Sequence, residues 1–80
     1  MVLEIITPNK IIYEGEVNRV RIPGSKGTFE ILTNHAPIIS TLGKGTIRII
    51  DENNRELTFS VNGGLVENKN NHIIVLLESA

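Results

Sequence analysis

Short apolar stretches alternate with turn residues along the whole chain, and this pattern predicts β-strands throughout. In residues 57–61 the odd positions are apolar and the even positions polar, as in a strand with one buried face. Residues 46–49 alternate in the same way, and residues 51–55 between them predict a hairpin turn because asparagine tolerates positive φ. Residues 68–71 predict a second turn. The run 73–77 is apolar on both faces and is therefore predicted to be covered on both sides, either by the core and a neighbouring element or by a partner.

The first half of the chain has the same character. Strands are predicted at residues 2–7, 11–13, 17–22, 28–32 and 38–42. Turn residues separate them at 8–9, 15, 23–27, 33–37 and 43–45. Arg19 and Arg21 are placed on one face of their strand, with Val20 and Ile22 on the other. The prediction is an all-β fold of about ten short strands, arranged as a flattened β-sandwich or barrel.

Composition supports this fold class and a single domain. Isoleucine and valine together number 19, whereas alanine numbers 2, and β-branched residues suit strands better than helices. The hydrophobic fraction of 40% and charged fraction of 21% are typical of a globular domain. With 80 residues and no linker or repeat, the chain is predicted to be one domain over residues 1–80.

Charge and cysteine content exclude several classes of protein. Eight basic and nine acidic residues are scattered singly, without the basic stripe that a nucleic-acid binder needs. The absence of cysteine excludes disulfides, thiolate metal sites and a cysteine nucleophile. The sequence shows neither the basic leader of a signal peptide nor an apolar run long enough for membrane insertion. The cytosol is therefore the default compartment.

Few residues carry the chemistry of an active site. The two histidines, at positions 35 and 72, lie in separate predicted turns without the ligand spacing of a metal site. Neither Ser40 nor Ser60 has the elbow motif of a nucleophile. The glycine-containing segments 24–27 and 43–45 lack the GK[ST] sequence and following helix of a phosphate loop. We therefore predict no enzyme activity, no catalytic residue, no metal and no cofactor.

The corner at residues 33–37 differs from an ordinary sandwich turn. The apolar run Pro37-Ile38-Ile39 follows it directly, which would place His35 at the edge of an apolar patch. Exposed apolar surface beside a polar loop is typical of a binding face. Composition alone leaves open the alternative that Ile38 and Ile39 serve two core layers and that His35 merely caps a turn.

Five blocks in chain order carry a resemblance to a known family. They are ITP (6–8) with YEGEV (13–17), PGSKG (23–27), NHAPIIS (34–40), GTIRI (45–49), and NGGLVE (62–67) with IVLL (74–77). At this spacing the chain resembles the epsilon subunit of F-type ATP synthases over essentially all 80 residues. The resemblance implies an N-terminal β-sandwich of about ten strands, in agreement with the apolar pattern.

The resemblance also implies a function without catalysis. Epsilon is a central-stalk subunit of a hetero-oligomeric complex, and it clamps the gamma subunit to the polar loops of the membrane c-ring. These parts turn together and couple ion-driven rotation to ATP synthesis. The implied location is peripheral, on the cytoplasmic face of the bacterial inner membrane.

The resemblance assigns two contact surfaces. The gamma-facing surface is expected to include Thr7, His35 and Ser40. The c-ring contact is expected to be formed by Ser25, Lys26, Gly27, Thr28, Phe29 and Glu30. Family members usually have glycine at the position of Glu30 and often glutamate at that of Thr28. Our hypothesis is that the acidic group has moved two positions along the strand, keeping its face and an acidic contact for the polar loop of the ring. Thr33 replaces a frequent proline without an obvious consequence.

Length is the larger departure from the family. Many members continue into a two-helix hairpin that inhibits ATP hydrolysis and in some members binds ATP. If Ala80 is the natural end, the chain is expected to couple the rotor without these two properties, although a truncated piece would look identical.

Two other classes remain open. One is a free-standing β-sandwich module that binds carbohydrate or peptide, and the other is a small β-barrel hydrolase. The first usually uses exposed aromatic side chains, whereas this chain has no tryptophan and only Tyr13, Phe29 and Phe59. The second is disfavoured by the missing nucleophile motif. Binding in a sugar array would favour the first class, and hydrolysis of ester or phosphate substrates would favour the second.

Overall fold

A computed structural model describes residues 1–78 of the chain as six β-strands. The strands are β1 (Val2–Ile6), β2 (Ile11–Gly24), β3 (Gly27–Leu32), β4 (Ile38–Asp51), β5 (Glu56–Lys69) and β6 (His72–Leu76). No helix occurs among residues 1–78, in agreement with the predicted all-β class. The expectation about Ala80 lies outside the described residues.

The strands form one sheet that closes on itself. Their order is β1-β6-β5-β4-β2-β3, and β1 also pairs with β2. β1 and β6 are parallel, and the other pairs are antiparallel. The cycle β1-β6-β5-β4-β2 is therefore closed, and β3 extends it beside β2. Closure leaves few free strand edges, and it confirms the predicted flattened sandwich or barrel.

The strands are fewer and longer than predicted. β2, β4 and β5 each run for 14 residues, so that the segments predicted as about ten short strands join into six. The predicted turn at residues 43–45 is wrong, because β4 continues through it. Gly45 instead allows the close approach of Pro23, because a Cβ on Gly45 would lie 2.8 Å from Cβ of Pro23. Gly15 likewise lies within β2 rather than ending a strand.

A bulge in β2 changes which positions face the core. Val17 and Val20 are both fully buried although they are three residues apart. The register shifts between Val17 and Arg19, opposite Asp51 and Ile50, so that one extra residue is accommodated. Beyond the bulge Val20 and Ile22 point inward, as predicted. A strand that bends here can pair with β1 at one end and with β3 and β4 at the other.

Asparagines form the predicted hairpin turns. Asn54, between β4 and β5, has φ 61°, and Asn70 and Asn71, between β5 and β6, have φ 52° and 60°. Two central residues with positive φ match the twist of the flanking strands. The side chain of Asp51 supports the first turn by accepting hydrogen bonds from the backbone amides of Asn53 and Arg55, at 2.8 and 2.9 Å.

The core is almost entirely aliphatic and lies inside the closed sheet. Its buried members are Leu3, Ile5, Val17, Val20, Ile22, Ile31, Leu42, Ile47, Ile49, Val61, Val66, Ile73, Val75 and Leu77. Along β6 the inward side chains Ile73 and Val75 are fully buried, whereas the outward Leu76 stays 44% exposed. The outer face of this apolar run is therefore only partly covered in the isolated chain.

Tyr13 makes the stability of the domain sensitive to alkaline pH. Burial, followed by the nearby charges of Asp51 and Glu52, raises the pKa of Tyr13 above its ordinary value of 10.0. The unfolded chain then ionises first, so the stabilising contribution is full below pH 10 and is lost as pH rises through the folded pKa. We expect urea unfolding to show a steeper loss of stability in this range for the wild type than for Tyr13→Phe. Parallel curves for the two proteins would contradict this.

Candidate interaction surfaces

The corner at residues 33–37, here called the His35 corner, is exposed at every position. Its backbone turns through Asn34, which has φ 67°, and the His35 amide donates to the Leu32 carbonyl at 3.1 Å. His35 Nδ1 lies 2.7 Å from the carbonyl oxygen of Ala36 and must carry the proton, because the partner is an acceptor. Nε2 is therefore the ring nitrogen that the corner leaves for a partner.

An apolar patch adjoins the His35 corner, as the sequence predicted. Ile39 is 69% exposed, while Ile38 is half-buried and packs against the core. Pro37, Ile38 and Ile39 line a shallow groove with Glu67, Asn68 and Lys69 of β5. The alternative in which both isoleucines serve the core is wrong, because Ile39 points outward. An exposed apolar side chain beside a rigid polar turn is suited to protein recognition.

Of the other two residues assigned to the gamma-facing surface, Thr7 lies apart from the corner, whereas Ser40 follows the corner on β4. Thr7 closes the β1–β2 turn, where its hydroxyl accepts from the amides of Asn9 and Lys10 at 3.3 and 3.2 Å. Ser40 is half-buried opposite Val66, and its hydroxyl donates to the Thr41 carbonyl at 3.1 Å. The structure therefore does not gather the three residues into one cluster.

Strand directions set the separation of Thr7 from the His35 corner. The corner is hydrogen-bonded to Asn71, which precedes β6, whereas Thr7 follows β1. Since β1 and β6 are parallel, these two points lie at opposite ends of a five-residue strand. That strand is about 17 Å long. A partner that touches both must extend along the length of the domain.

The segment 25–30, assigned to the c-ring contact, forms the turn of the β2–β3 hairpin and the first four residues of β3. Ser25, Lys26, Gly27 and Thr28 are exposed, whereas Phe29 is half-buried and packs against the core. The tip is fixed to β4, because the Ser25 amide donates to the Thr41 carbonyl at 3.0 Å and the two hydroxyls lie 2.7 Å apart. The exposed part of the segment is thus the braced two-residue turn at 25–26 and the first two residues of β3.

Glu30 lies within an arginine-rich part of the outer sheet surface. Its carboxylate is 3.8 Å from Nε of Arg19 and 3.6 Å from an Nη of Arg21. Arg48 and Glu56 form a similar pair at 3.6 Å on the neighbouring strands. The acidic group at position 30 is therefore shared with two cations of its own sheet, a restraint that the sequence pattern did not reveal.

Sequence reasoning also missed the asparagines that hold the His35 corner. Asn71 exchanges hydrogen bonds with Asn34, and the buried Asn68 lies beneath His35 and Ala36. The only available signal was that asparagine recurs in the predicted turns. That signal does not show which distant residue each side chain meets.

The described residues give little support to a membrane-spanning protein, a metal-binding protein or a carbohydrate-binding module. No helix among them is long and apolar enough to cross a membrane. Across residues 1–78, no three His, Asp or Glu side chains group together in a way that could hold a metal ion. Tyr13, Phe29 and Phe59 are all half-buried, so they do not form the exposed aromatic platform of a carbohydrate-binding module.

Comparison with protein families gives one match over the whole chain. Residues 1–80 match the sequence model of the family described as ATP synthase, Delta/Epsilon chain, beta-sandwich domain.

Comparison with curated proteins identifies relatives that are described as ATP synthase epsilon chains. The ATP synthase epsilon chain of Leptospira interrogans serovar copenhageni is 45% identical over 76 residues, which are 95% of this chain and 59% of that protein. The epsilon chain of Chlorobaculum tepidum is 40% identical over 76 residues and is covered to 86% of its length. The chain thus spans somewhat more than half of the first relative and most of the second.

Solved structures share the fold. A chain of the mitochondrial ATP synthase of Euglena gracilis superposes with a TM-score of 0.91 at 15% identity, over 99% of this chain and 51% of that one. A chain of the Tetrahymena thermophila central stalk and c-ring superposes with a TM-score of 0.76 at 19% identity, over 96% and 62%. At these identities the likeness establishes the architecture alone.

Proposed function

The chain belongs to the family of delta/epsilon-chain β-sandwich domains of ATP synthases, and we propose that it is an epsilon-type rotor subunit of an F-type ATP synthase. In this role it clamps the gamma subunit to the polar loops of the c-ring and couples ion-driven rotation to ATP synthesis. It performs no catalysis itself. The observation that carries the proposal is the family match over residues 1–80, together with 40% identity to an epsilon chain covered to 86%.

The closed sheet suits a part that transmits torque. Each strand of the cycle is hydrogen-bonded on both sides for part of its length, and the interior is filled with branched aliphatic side chains. Such interiors are close-packed and deform little under load. Most connections between strands are short, including the two-residue turns after β2 and β5. A compact clamp of this kind resists local opening better than a domain with long loops.

The gamma-facing surface is proposed to centre on His35 and the exposed Ile39, with Thr7 and Ser40 as further contacts. The corner offers a ring nitrogen, and the patch offers apolar area to bury. Because Thr7 lies about a strand length away, the bound gamma segment is proposed to run along β1 rather than to touch the corner alone.

The c-ring contact is proposed to be the braced segment 25–30. Glu30→Gln keeps the shape of the side chain and removes its charge, so we expect weaker binding to purified c-ring. Glu56→Gln is the matched control, because Glu56 also pairs with an arginine on the sheet surface. Ring binding by pull-down at two salt concentrations measures the effect. Equal binding by Glu30→Gln and the wild type would refute the acidic contact at this position.

The chain is proposed to act at the cytoplasmic face of the bacterial inner membrane, held there by its partner subunits. Support comes from the epsilon chains of Leptospira and Chlorobaculum, which are bacterial. A carbohydrate or peptide module is not favoured by any observation on the described residues.

Deletion in the source organism tests the proposed function. Inverted membrane vesicles without this chain should lose ion-driven ATP synthesis while they retain ATP hydrolysis by the catalytic head. Addition of the purified chain should restore synthesis. Unimpaired ATP synthesis in the deletion vesicles would exclude the coupling role.

A further inference from the structure

The His35 corner is tied to the β5–β6 turn by side-chain amides. Asn71 Oδ1 accepts a hydrogen bond from the Asn34 backbone amide at 2.6 Å, and Asn71 Nδ2 donates to Asn34 Oδ1 at 3.0 Å. Beneath them Asn68, only 1% exposed, places Nδ2 3.4 Å from the carbonyl oxygens of both His35 and Ala36. Two side chains of one hairpin therefore hold three consecutive residues of the corner.

The β5–β6 turn, which carries Asn71, is itself well fixed in the sheet. Asn70 and Asn71 form a two-residue hairpin turn, each with positive φ, between paired strands. The Asn71 carbonyl also accepts from the Val2 amide at 2.9 Å, which joins the turn to β1. The position of the Asn71 side chain is thus set by three strands that meet at this end of the sheet.

Within residues 1–78, little else holds the corner in place. All five of its residues are exposed, so apolar burial contributes little to its position. Its internal bonds, from the His35 amide to Leu32 and from the His35 ring to Ala36, shape the turn but do not attach it to the rest of the domain. An exposed turn without such an attachment would sample many orientations.

We infer that Asn71 is a positioning residue for partner binding: through Asn34 it fixes the orientation in which the His35 corner meets the gamma subunit. This inference rests on the function proposed above. A corner that is already ordered loses less conformational entropy when it binds. Asn68 supports the same arrangement from below.

Glycine substitutions distinguish the proposed role of the Asn71 side chain, which is to position the corner, from the role of its backbone in the hairpin turn. Asn71→Gly retains positive φ and the hairpin but removes both bonds to Asn34, because glycine adopts this conformation readily. Asn70→Gly is the matched control in the same turn, since within residues 1–78 its side chain makes no hydrogen bond to the corner. We expect Asn71→Gly to bind gamma about tenfold more weakly than Asn70→Gly does, because a corner that is no longer held must be ordered when it binds. Asn71→Gly should also unfold at a somewhat lower urea concentration, because it has lost two intramolecular hydrogen bonds, but both variants should be folded under the conditions of the titration.

A conservative variant provides the rescue. Asn71→Asp retains an oxygen that accepts from the Asn34 amide, but it puts an oxygen in place of the Nδ2 that donates to Asn34 Oδ1. Its affinity for gamma should therefore lie between those of the wild type and Asn71→Gly. Equal affinity of Asn71→Gly and Asn70→Gly for gamma would overturn the inference.

NMR of the free chain distinguishes failure of the inference from failure of the proposed function. The backbone amides of residues 34–36 should gain picosecond-to-nanosecond mobility in Asn71→Gly and remain rigid in Asn70→Gly. If wild-type chain does not bind gamma, the rotor function fails. The relaxation data still decide whether Asn71 positions the corner, and equal rigidity in both variants would show that it does not.

Discussion

Gly64→Ala is expected to destabilise the domain more than any other single glycine substitution. Gly64 has φ 148°, a conformation open essentially to glycine alone, and a Cβ there would clash with the carbonyl oxygen of Leu76. The Leu77 side chain, 3.1 Å from the same position, blocks a simple shift. Backbone strain and overpacking together amount to roughly 2–6 kcal/mol. A domain of this size is stable by only roughly 4–12 kcal/mol.

Gly27→Ala is the matched control for this prediction. Gly27 has a similar φ of 137°, but a Cβ there would have no neighbour within 4 Å. Only the backbone strain applies, about 1–3 kcal/mol. Urea unfolding followed by circular dichroism should show a much lower midpoint for Gly64→Ala than for Gly27→Ala. Equal midpoints would contradict the prediction, because they would show that the close approach of Leu76 to Gly64 adds nothing to the cost of the substitution.

Ile39→Glu is expected to give the largest loss of partner binding without loss of the fold. Ile39 is the most exposed large apolar side chain among the described residues, and it adjoins the His35 corner. Burial of an isoleucine side chain in an interface contributes about 1.5–3 kcal/mol. A carboxylate in the same place must also be desolvated. The expected loss of affinity for gamma is therefore roughly a hundredfold.

Thr46→Glu is the control for the added charge. Thr46 is exposed on the same strand, opposite the exposed Ser60 and away from the corner. Both variants should keep the wild-type unfolding free energy to within about 0.5 kcal/mol, because both sites are on the surface. Calorimetric titration with gamma measures the difference. Comparable affinities for Ile39→Glu and Thr46→Glu would place the interface elsewhere.

The fold class and most turns could be predicted from local patterns, because alternation and turn chemistry are properties of neighbouring residues. The number of strands could not. Gly43 and Gly45 have the composition of a turn, yet β4 continues through them, and at Gly45 it passes close to Pro23. The bulge after Val17 also leaves no signal in the sequence, since an extra residue in a strand is recognised only from its pairing with the partner strand.

The site was predictable in parts for the same physical reason. The sequence placed His35 beside an apolar patch because those residues are adjacent in the chain. The contacts of Glu30 with Arg19 and Arg21, and of Asn34 with Asn71, join residues that only the strand register brings together. The assignments of Thr7, Ser40 and segment 25–30 came from family resemblance and remain proposals about partners.

Calorimetric titration of the wild-type chain into the purified gamma subunit of the same organism tests the central claim most directly. An epsilon-type clamp should bind with one-to-one stoichiometry and submicromolar affinity, and His35→Glu should weaken that binding at unchanged stability, because His35 is exposed. The absence of binding to a folded, functional gamma subunit would contradict the rotor function and leave the family match as evidence of the fold alone.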